Sequence, residues 1–519
     1  MEWPGYWYHN GMIIRFHNLG KIKETELDLR PMTVIIGPNN SNKTYIAYSV
    51  YGLWKAQRRR FRASLNFKVS RKPSEASEGR KASSNRPVFF VDVSPAFLGQ
   101  VLKRIRDVSE RFRSELDTYF QDSSGKLFTN TSYELQISGE EVVGKLSRTP
   151  DYRMSIRHNE VRYAYIVSYS ENQILVRWTN PEVDGAYAGD ESSLDGHEKE
   201  AQKLASLSIT SFLLNALFPD SFLLPAERNA LIITYKMLET RRYKLMRDVH
   251  RQRRLRTGDD TQSIDLMQEE EPVRYPQPVE DFLDFLTDVE NAPTRIIPRP
   301  KSAKSFAELA DVIEESIQDG NKTGYRSTVL GGKEIVIDVG GDVSIDLYNA
   351  SSSIKQLAPL LLYLRYRARE NDLLIIDEPE MNLHPESQVK LLEVLALLVN
   401  HGVNVLVTTH SPYIMAHLNN LAQDGATSQA VKNRQAKSLY LKNPNSLLTM
   451  DQVSAYEMRD NQLHSLKEEG YGVRWNTLSD VSVDLQQKYF EIYEEGHAKE
   501  QTKATRRAAQ NAGGQDRQD

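Results

Sequence analysis

Short runs of apolar residues, each followed at once by polar residues, are the clearest pattern in this chain. The runs are Thr33–Ile36, Leu373–Ile376 and Val403–Val407, the last interrupted by one asparagine. Apolar runs of this length are typical of strands buried on both faces, as in a parallel sheet. The pattern therefore predicts an α/β protein in which the ends of buried strands present polar side chains.

The remaining patterns predict the elements around these strands. Strand-like stretches occur at 12–16, 24–29, 133–178 and 222–224, and a hairpin is expected at 335–337 and 343–347 around Gly340 and Gly341. Apolar residues recur at helical spacing over 95–120, 201–217, 282–289 and 306–317. The sequence thus alternates between the two classes of element and contains long stretches outside the three buried strands.

The segment after the first apolar run has the composition of a phosphate-binding loop. It comprises Gly37, Pro38, Asn39, Asn40, Ser41, Asn42, Lys43 and Thr44. In such a loop, backbone N–H groups surround the phosphates of ATP, Lys43 reaches the β and γ phosphates, and the Thr44 hydroxyl ligates Mg²⁺. Asn42 stands where the pattern has a second glycine. Asparagine tolerates positive φ better than most residues, so we expect the loop to form at a cost of about 1 kcal/mol.

The other two apolar runs end in residues suited to ATP hydrolysis. Asp377 follows the second run and is the expected Mg²⁺ ligand opposite the phosphate loop, and the adjacent Glu378 can polarise a water molecule as a general base. His410 follows the third run, where an imidazole can hydrogen-bond the γ-phosphate or the attacking water. These side chains predict one magnesium-dependent site at the ends of the strands.

A serine-rich segment precedes the acidic strand. Ser351, Ser352 and Ser353 come directly before the strongly helical stretch 354–365. Small hydroxyl residues at a helix start can bind an anion through the free N–H groups of the first turn, although a plain serine cap is the simpler interpretation of the segment by itself.

Composition limits the classes to which the protein can belong. The chain has 519 residues, of which 39% are apolar, and it contains no cysteine. Disulfides, cysteine-ligated zinc and iron–sulfur clusters are therefore excluded, and a cytoplasmic location is expected. No apolar stretch approaches the length of a membrane span, so no membrane association is expected. The formal charge of −4 gives no overall nucleic-acid signature, so any such contact must come from local patches.

Taken in order, these motifs resemble those of the ABC-class ATPases. The chain is similar to the RecF-like and OLD-family branch of that class, and more distantly to SMC heads. The resemblance is carried by the phosphate loop, Ser351–Ser353, the run Asp377–Pro385, Thr408–Pro412 and Pro225–Arg228. It implies an ABC-type P-loop ATPase head with a mixed or parallel core sheet, an antiparallel subdomain and a large helical insertion.

The resemblance also implies a role for each motif. Asp377 and Glu378 would be the Walker B acid and the catalytic glutamate, His410 the switch histidine, and Asn382 and His384 part of the D-loop at 382–385. The serines would form a signature that acts in trans on ATP bound by a second head, in a homodimer or higher homo-oligomer. Ser353 replaces the usual signature glycine, which predicts weaker activation in trans. The glutamine loop has no clear counterpart, since Gln173 is only a distant candidate.

Six regions follow from the patterns and the resemblance together. They are the N-terminal part of the head at 12–54, an insertion at 55–221 with a basic linker, an arm helix and antiparallel strands, a helical arm region at 222–330, the C-terminal part of the head at 331–440, an extension at 441–496 and a low-complexity tail at 497–519. Within the arm region, the arginine-rich segment 241–256 is either a solvated charged face or a contact surface for nucleic-acid phosphates or a protein partner.

Three functions remain open at this stage. The first is an ATPase whose dimer state controls a separately encoded effector, a nuclease or a toxin, in bacterial anti-phage defence. The second is a RecF-like DNA-binding ATPase in repair or genome maintenance. The third, a transporter's nucleotide-binding subunit, is disfavoured because a large charged insertion splits the head. OLD-family nucleases carry a Toprim domain with an Asp-x-Asp pair, and no such pair follows His410, so we expect no intrinsic nuclease activity.

Overall fold

The computed structural model describes most of the chain. The described ranges are 12–61, 67–72, 88–158, 161–179, 198–238, 240, 275–291, 303–327, 333–422, 429–468, 472–475 and 483–493. The arginine-rich segment 241–256 and the tail 497–519 lie outside them, and so the predictions for these two segments stay predictions.

The strands of the described residues are numbered along the chain. They are β1 (Met12–Leu19), β2 (Ile22–Leu29), β3 (Met32–Ile36), β4 (Ser70–Lys72), β5 (Val88–Asp92), β6 (Ser132–Gln136), β7 (Tyr152–His158), β8 (Val161–Ser170), β9 (Gln173–Thr179), β10 (Ser221–Leu224), β11 (Lys322–Ser327), β12 (Lys333–Asp338), β13 (Ser344–Asp346), β14 (Leu373–Asp377), β15 (Asn404–Thr409), β16 (Val453–Arg459), β17 (Gln462–Ser465), β18 (Lys467–Glu468) and β19 (Gly472–Val473).

The principal helices are numbered in the same way. They are α1 (Lys43–Arg60), α2 (Pro95–Arg113), α3 (Leu116–Phe120), α4 (Gly139–Arg148), α5 (Glu198–Leu217), α6 (Gln277–Asn291), α7 (Ala303–Ile317), α8 (Ser352–Tyr366), α9 (Pro385–Asn400), α10 (Pro412–Leu421) and α11 (Gln429–Ala436). Residues 228–238 and 483–493 are also helical. None of the helices in the described ranges is both long enough and apolar enough to cross a membrane.

A six-stranded sheet of order β10-β14-β15-β3-β16-β17 forms the core. Its neighbouring strands are parallel except for the β16–β17 pair. Strands β10, β14, β15 and β3 are buried at every residue, because a parallel sheet is covered on both faces. This confirms the predicted α/β fold with a core sheet that is mainly parallel.

Within the described residues, three antiparallel sheets of three or more strands lie outside the core sheet. Their strand orders are β2-β1-β6, β4-β5-β9-β8-β7 and β11-β12-β13. The last contains the predicted hairpin, whose turn has positive φ at both Gly340 and Gly341. The predicted strand region 133–178 also contains a helix, α4, which begins with a capping box between Ser138 and Glu141.

Helix α1 packs on the core sheet at the centre of a large apolar cluster. Its aromatic residues Tyr51 and Trp54 are buried, together with Phe112 of α2 and Phe218 after α5. At Gly52, any Cβ would overlap the rings of Phe112 and Tyr119, so α1 can approach α2 only with a glycine there. The helix that follows the phosphate loop is therefore held over most of its length by tertiary packing.

Three elements of the structure extend across the expected region boundaries. Strand β10 was assigned to the arm region 222–330 and β16 to the extension 441–496, but both are hydrogen-bonded in the core sheet. The insertion was expected to begin at 55, a position that lies within α1, which continues to Arg60. Its last turn is held by Arg58, which donates to the carbonyl of Phe218 at 2.8 Å, and by Arg60, which pairs with Glu115. Cations also suit the carbonyl end of a helix.

The chain divides into two compact units, 1–467 and 468–519. The first contains the core sheet and the three antiparallel sheets. In its described part, the second contains β19 and the helix 483–493, which exposes the apolar side chains of Leu485, Tyr489 and Ile492.

Candidate active site

The phosphate loop connects β3 to α1 through two left-handed residues. Asn40 has φ 60° and Asn42, the N-cap of α1, has φ 69°. The position expected for a second glycine therefore adopts the conformation that favours glycine, and an asparagine occupies it. The side chain of Asn42 donates to Asn461 Oδ1 at 3.3 Å, in the turn between β16 and β17.

Gly37 begins the loop where β16 passes closest. A Cβ at this residue would lie 2.9 Å from Met458 Cβ and 2.9 Å from the Met458 carbonyl oxygen. Because one of these atoms belongs to the backbone, no rotamer change at Met458 can make room. Glycine is therefore required at 37 by its neighbour in the sheet.

Lys43 lies under the loop with 5% of its surface exposed. Its Nζ donates to the carbonyl oxygens of Gly37 at 3.0 Å and Pro38 at 2.9 Å, and it lies 3.1 Å from His410 Nε2. Burial lowers the pKa of the Lys43 ammonium to about 8, against the opposing effect of the nearby Glu378 and Asp377. The phosphate loop and the end of β15 thus meet at this amine.

Asp377 ends β14 and faces the start of α1. Its Oδ1 accepts a hydrogen bond from the Thr408 hydroxyl of the neighbouring strand, and the Thr44 hydroxyl lies 3.4 Å away. Burial raises the pKa of Asp377 to about 6, while the hydrogen bond from Thr408 acts in the opposite direction. The Asp377 carboxyl group therefore lies between the Thr408 hydroxyl at the end of β15 and the Thr44 hydroxyl at the start of α1.

Glu378 is held in a left-handed backbone conformation with φ 49°. A glutamate in this region carries strain of about 1–2 kcal/mol. Its N–H donates to the Thr408 carbonyl at 3.0 Å, and its Oε1 lies 3.0 Å from His410 Nε2. The hydrogen bond from His410 is the main cause that lowers the pKa of Glu378, so the carboxylate is ionised beside the phosphate loop.

Comparison with known proteins gives the family of the chain. The sequence model of the AAA ATPase domain matches residues 12–415, most of the chain. The chain belongs to the AAA ATPase domain family. No curated protein sequence matches it.

Among solved structures, the AAA ATPase domain is similar to three SMC heads. One, an Smc head bound to the C-terminal winged-helix domain of ScpA, has 11% identity and a TM-score of 0.30, with coverage of 88% of this chain and 98% of that one. An Smc head bound to the C-terminal domain of ScpA, from Pyrococcus furiosus, has 11% identity, a TM-score of 0.29 and coverage of 93% and 100%. The SMC head from Thermotoga maritima has 10% identity, a TM-score of 0.25 and coverage of 79% and 92%. At these TM-scores, the family assignment rests on the sequence match.

The AAA ATPase domain contains a buried arginine that the sequence analysis left without a role. Arg228 is 2% exposed, and its guanidinium donates to four carbonyl oxygens. The acceptors are those of Asp377 at 2.7 Å, Glu378 at 3.0 Å, Pro225 at 2.9 Å and Gln356 at 3.2 Å. Burial lowers the pKa of Arg228 to about 10. The segment Pro225–Arg228 therefore lies directly behind the acidic end of β14.

Glu380 lies in the run Asp377–Pro385, which gave it no role of its own. Its Oε1 accepts from the His410 backbone N–H at 2.6 Å and from the Thr409 hydroxyl at 2.8 Å. The carboxylate fixes the end of β15 to the segment after β14. In the sequence, only its position two residues beyond Glu378 indicated that this carboxylate could reach the Thr-Thr-His segment at the end of β15.

The predicted signature serines begin α8 away from these contacts. Ser351 is the exposed N-cap, and its hydroxyl accepts from the Ile354 N–H at 3.3 Å and contacts the Ser353 hydroxyl at 2.9 Å. These bonds are local. The structure thus brings Lys43, Thr44, Asp377, Glu378 and His410 together. Away from them, Ser351 and Ser352 are exposed and Ser353 is half-buried.

The predicted D-loop residues are also exposed. Asn382 has φ 59°, and His384 caps α9, where its Nδ1 accepts from the Glu386 N–H at 3.4 Å. Gln173 lies in β9 of the five-stranded sheet and donates to Asp92 Oδ1 at 2.7 Å.

Proposed function

We propose that this AAA ATPase domain protein is a dimeric, Mg²⁺-dependent ATPase of the OLD-like branch. In our proposal its nucleotide state controls a separately encoded effector, a nuclease or a toxin, in bacterial anti-phage defence. The observation that carries the enzymatic part is the position of His410 between Lys43 and Glu378: its Nε2 lies 3.1 Å from Lys43 Nζ and 3.0 Å from Glu378 Oε1.

The residues present are suited to Mg²⁺ and ATP. The metal prefers oxygen ligands, and Asp377 Oδ1 and the Thr44 hydroxyl supply two on adjacent elements. The remaining ligands of such a site come from phosphate and water. When bound, the ion neutralises charge on the transferred phosphoryl group. Lys43 and the N–H groups at the start of α1 would hold the phosphates, as expected for a loop that opens a helix.

Glu378 is proposed as the base that accepts a proton from the attacking water. Its ionised carboxylate is available for this because His410 hydrogen-bonds it and keeps its pKa low. His410 in turn is held through its backbone by Glu380. The roles proposed for Asp377, Glu378 and His410 are thus those that the motif order implies.

The serines at the start of α8 are proposed to complete the site of a second copy. Ser351 and Ser352 are exposed and Ser353 is half-buried, and all three lie at a helix N-terminus, as a trans-acting signature requires. In this arrangement two heads enclose ATP between them. The dimer would form with ATP and separate after hydrolysis, and this cycle would hold and release the effector.

The test of the enzymatic proposal is Glu378→Gln. We expect unchanged ATP binding and hydrolysis slower by about 100-fold to 10,000-fold, the usual contribution of a positioned base. Glu308→Gln is the matched control, because Glu308 is an exposed glutamate on α7 that pairs weakly with Lys304 at 3.9 Å. Wild-type turnover in Glu378→Gln would exclude the role of base.

The defence role has its own test in cells. A strain that carries this gene with its neighbours should plate phage poorly, and Lys43→Ala should restore plating while the protein remains abundant. Equal plating of the wild type and Lys43→Ala would exclude it. The alternative, a RecF-like DNA-binding ATPase, is favoured by the arginine-rich sequence 241–256. It predicts salt-dependent DNA binding by the purified protein, with a slope that flattens when these arginines are replaced.

A further inference from the structure

Arg228 carries a charge in a place where a charge is costly. It is buried, and each of its four side-chain hydrogen bonds ends on a backbone carbonyl. A buried cation is normally retained when it pairs with a carboxylate, because burial removes its hydration. Here the guanidinium instead holds main-chain atoms, which points to a role in fixing the backbone.

The backbone that it holds is strained. Glu378 has φ 49°, a conformation that a non-glycine residue keeps only when its surroundings fix it. Three contacts do so. The Glu378 N–H donates to the Thr408 carbonyl at 3.0 Å, and the Glu378 carbonyl accepts from Arg228 Nη2 at 3.0 Å and, over a longer distance, from the Met381 N–H at 3.4 Å. Without Arg228, only the long bond from Met381 would hold the carbonyl side, and the residue could relax toward negative φ. Its carboxylate would then move away from His410.

The same guanidinium reaches α8. Its Nε donates to the Gln356 carbonyl at 3.2 Å, while Nη1 donates to the Asp377 carbonyl at 2.7 Å. The guanidinium is planar and rigid, so these bonds fix the position of α8 relative to the end of β14. Gln356 lies in the second turn of the helix that begins at Ser352.

We propose that Arg228 is a positioning residue, which holds the strained backbone of Glu378 and ties it to α8. The inference rests on the proposed function, in which Glu378 acts on water and the start of α8 meets a second copy. Through Arg228, the position of the Glu378 carboxylate then depends on the position of α8, the helix that begins with the proposed signature serines.

The test compares Arg228→Gln and Arg228→Lys with Arg367→Gln. Arg367 is a matched arginine because it lies at the other end of α8 and bonds Asp220 at 3.3 Å, far along the sheet from Glu378.

Since displacement of a catalytic group by about 1 Å costs about 100-fold in rate, we expect about that loss of kcat in Arg228→Gln. The dissociation constant for ATP should stay within about two-fold, because Arg228 does not contact the phosphate loop. Arg228→Lys should lower kcat by about 10-fold, since a lysine keeps the positive charge but lacks the planar guanidinium that donates to several carbonyls at once. Arg367→Gln should keep the wild-type kcat.

A double-mutant cycle separates positioning of Glu378 from a general loss of structure. If Arg228 acts through Glu378, Arg228→Gln should slow the Glu378→Gln enzyme by less than about three-fold, because that enzyme has no base to misplace. A further loss of about 100-fold in the double variant would overturn the proposal, as would wild-type kcat in both Arg228 variants. Thermal unfolding is measured first, and if Arg228→Gln does not fold, the cycle is run with Arg228→Lys. Failure of the proposed function looks different, since Glu378→Gln alone would then retain wild-type turnover.

Discussion

The contact between Gly37 and β16 gives a prediction that can be worked out from distances. In Gly37→Ala, the new methyl group would lie 2.9 Å from both Met458 Cβ and the Met458 carbonyl oxygen. Carbon atoms in contact prefer about 3.5–4.0 Å, so the loop and the strand must separate by about 0.5–1 Å. Overpacking of this kind costs about 1–3 kcal/mol.

This energy can be converted into a shift of the melting temperature. An unfolding entropy of about 2.1 cal/mol/K per residue gives about 1 kcal/mol/K for the unit 1–467. Gly37→Ala should therefore lower Tm by about 1–3 °C. Displacement of the loop by up to about 1 Å should also lower kcat/KM for ATP, by about 10-fold to 100-fold.

The assay is differential scanning calorimetry together with steady-state ATP hydrolysis. Gly99→Ala is the matched control, because Gly99 lies within α2 and no atom lies within 4 Å of the added Cβ. That change should raise Tm by about 1 °C, since alanine is favoured over glycine in a helix by about 1 kcal/mol. A wild-type Tm and wild-type kcat/KM in Gly37→Ala would show that β16 does not lie against the phosphate loop.

Two further predictions concern the dimer and the pH dependence of stability. Ser351→Arg places a bulky cation at the exposed start of α8, so ATP-dependent self-association and hydrolysis should be lost while one chain still binds ATP; full hydrolysis by a demonstrated monomer would contradict the signature role. Burial, and after it the charge of Asp220, raises the pKa of Asp372 from 3.8 to about 8. The folded protein therefore binds a proton at Asp372 that the unfolded chain has already released, and the free energy of unfolding falls as the pH rises from about 4 through about 8. The Tm of Asp372→Asn relative to the wild type should therefore rise between about pH 5 and about pH 8, and a constant difference in thermal scans would count against it.

The sequence predicted the elements whose signal is local. Strands β3, β14 and β15 were placed nearly to the residue, because burial on both faces leaves an unbroken apolar run. The left-handed Asn42 was likewise anticipated, since few other residues adopt that conformation readily. Strand β16 was not assigned to the core. It carries polar residues such as Ser454 and Glu457 at buried positions, and its partner β3 lies more than four hundred residues earlier.

The parts of the site that were missed depend on distant backbone atoms. Arg228 is buried only because carbonyl groups near residues 356 and 378 converge on it, and nothing within its own segment indicates such acceptors. The role of Glu380 likewise depends on a distant group, the backbone N–H of His410 directly after β15. Arginine and glutamate are normally exposed, so single-sequence patterns assign them to the surface.

The position of β3 has a consequence for how the protein is made. Both of its neighbours in the core sheet come from the C-terminal quarter of the chain, β15 from residue 404 and β16 from residue 453. A ribosome adds about 5–20 residues per second, so β3 waits roughly 20–75 s for its first partner strand. During this time a largely apolar strand has its backbone N–H and C=O groups free to pair with other strands. Newly made chains are therefore expected to depend on chaperones until residue 404 has emerged, and a ribosome that stalls earlier releases a chain prone to aggregation.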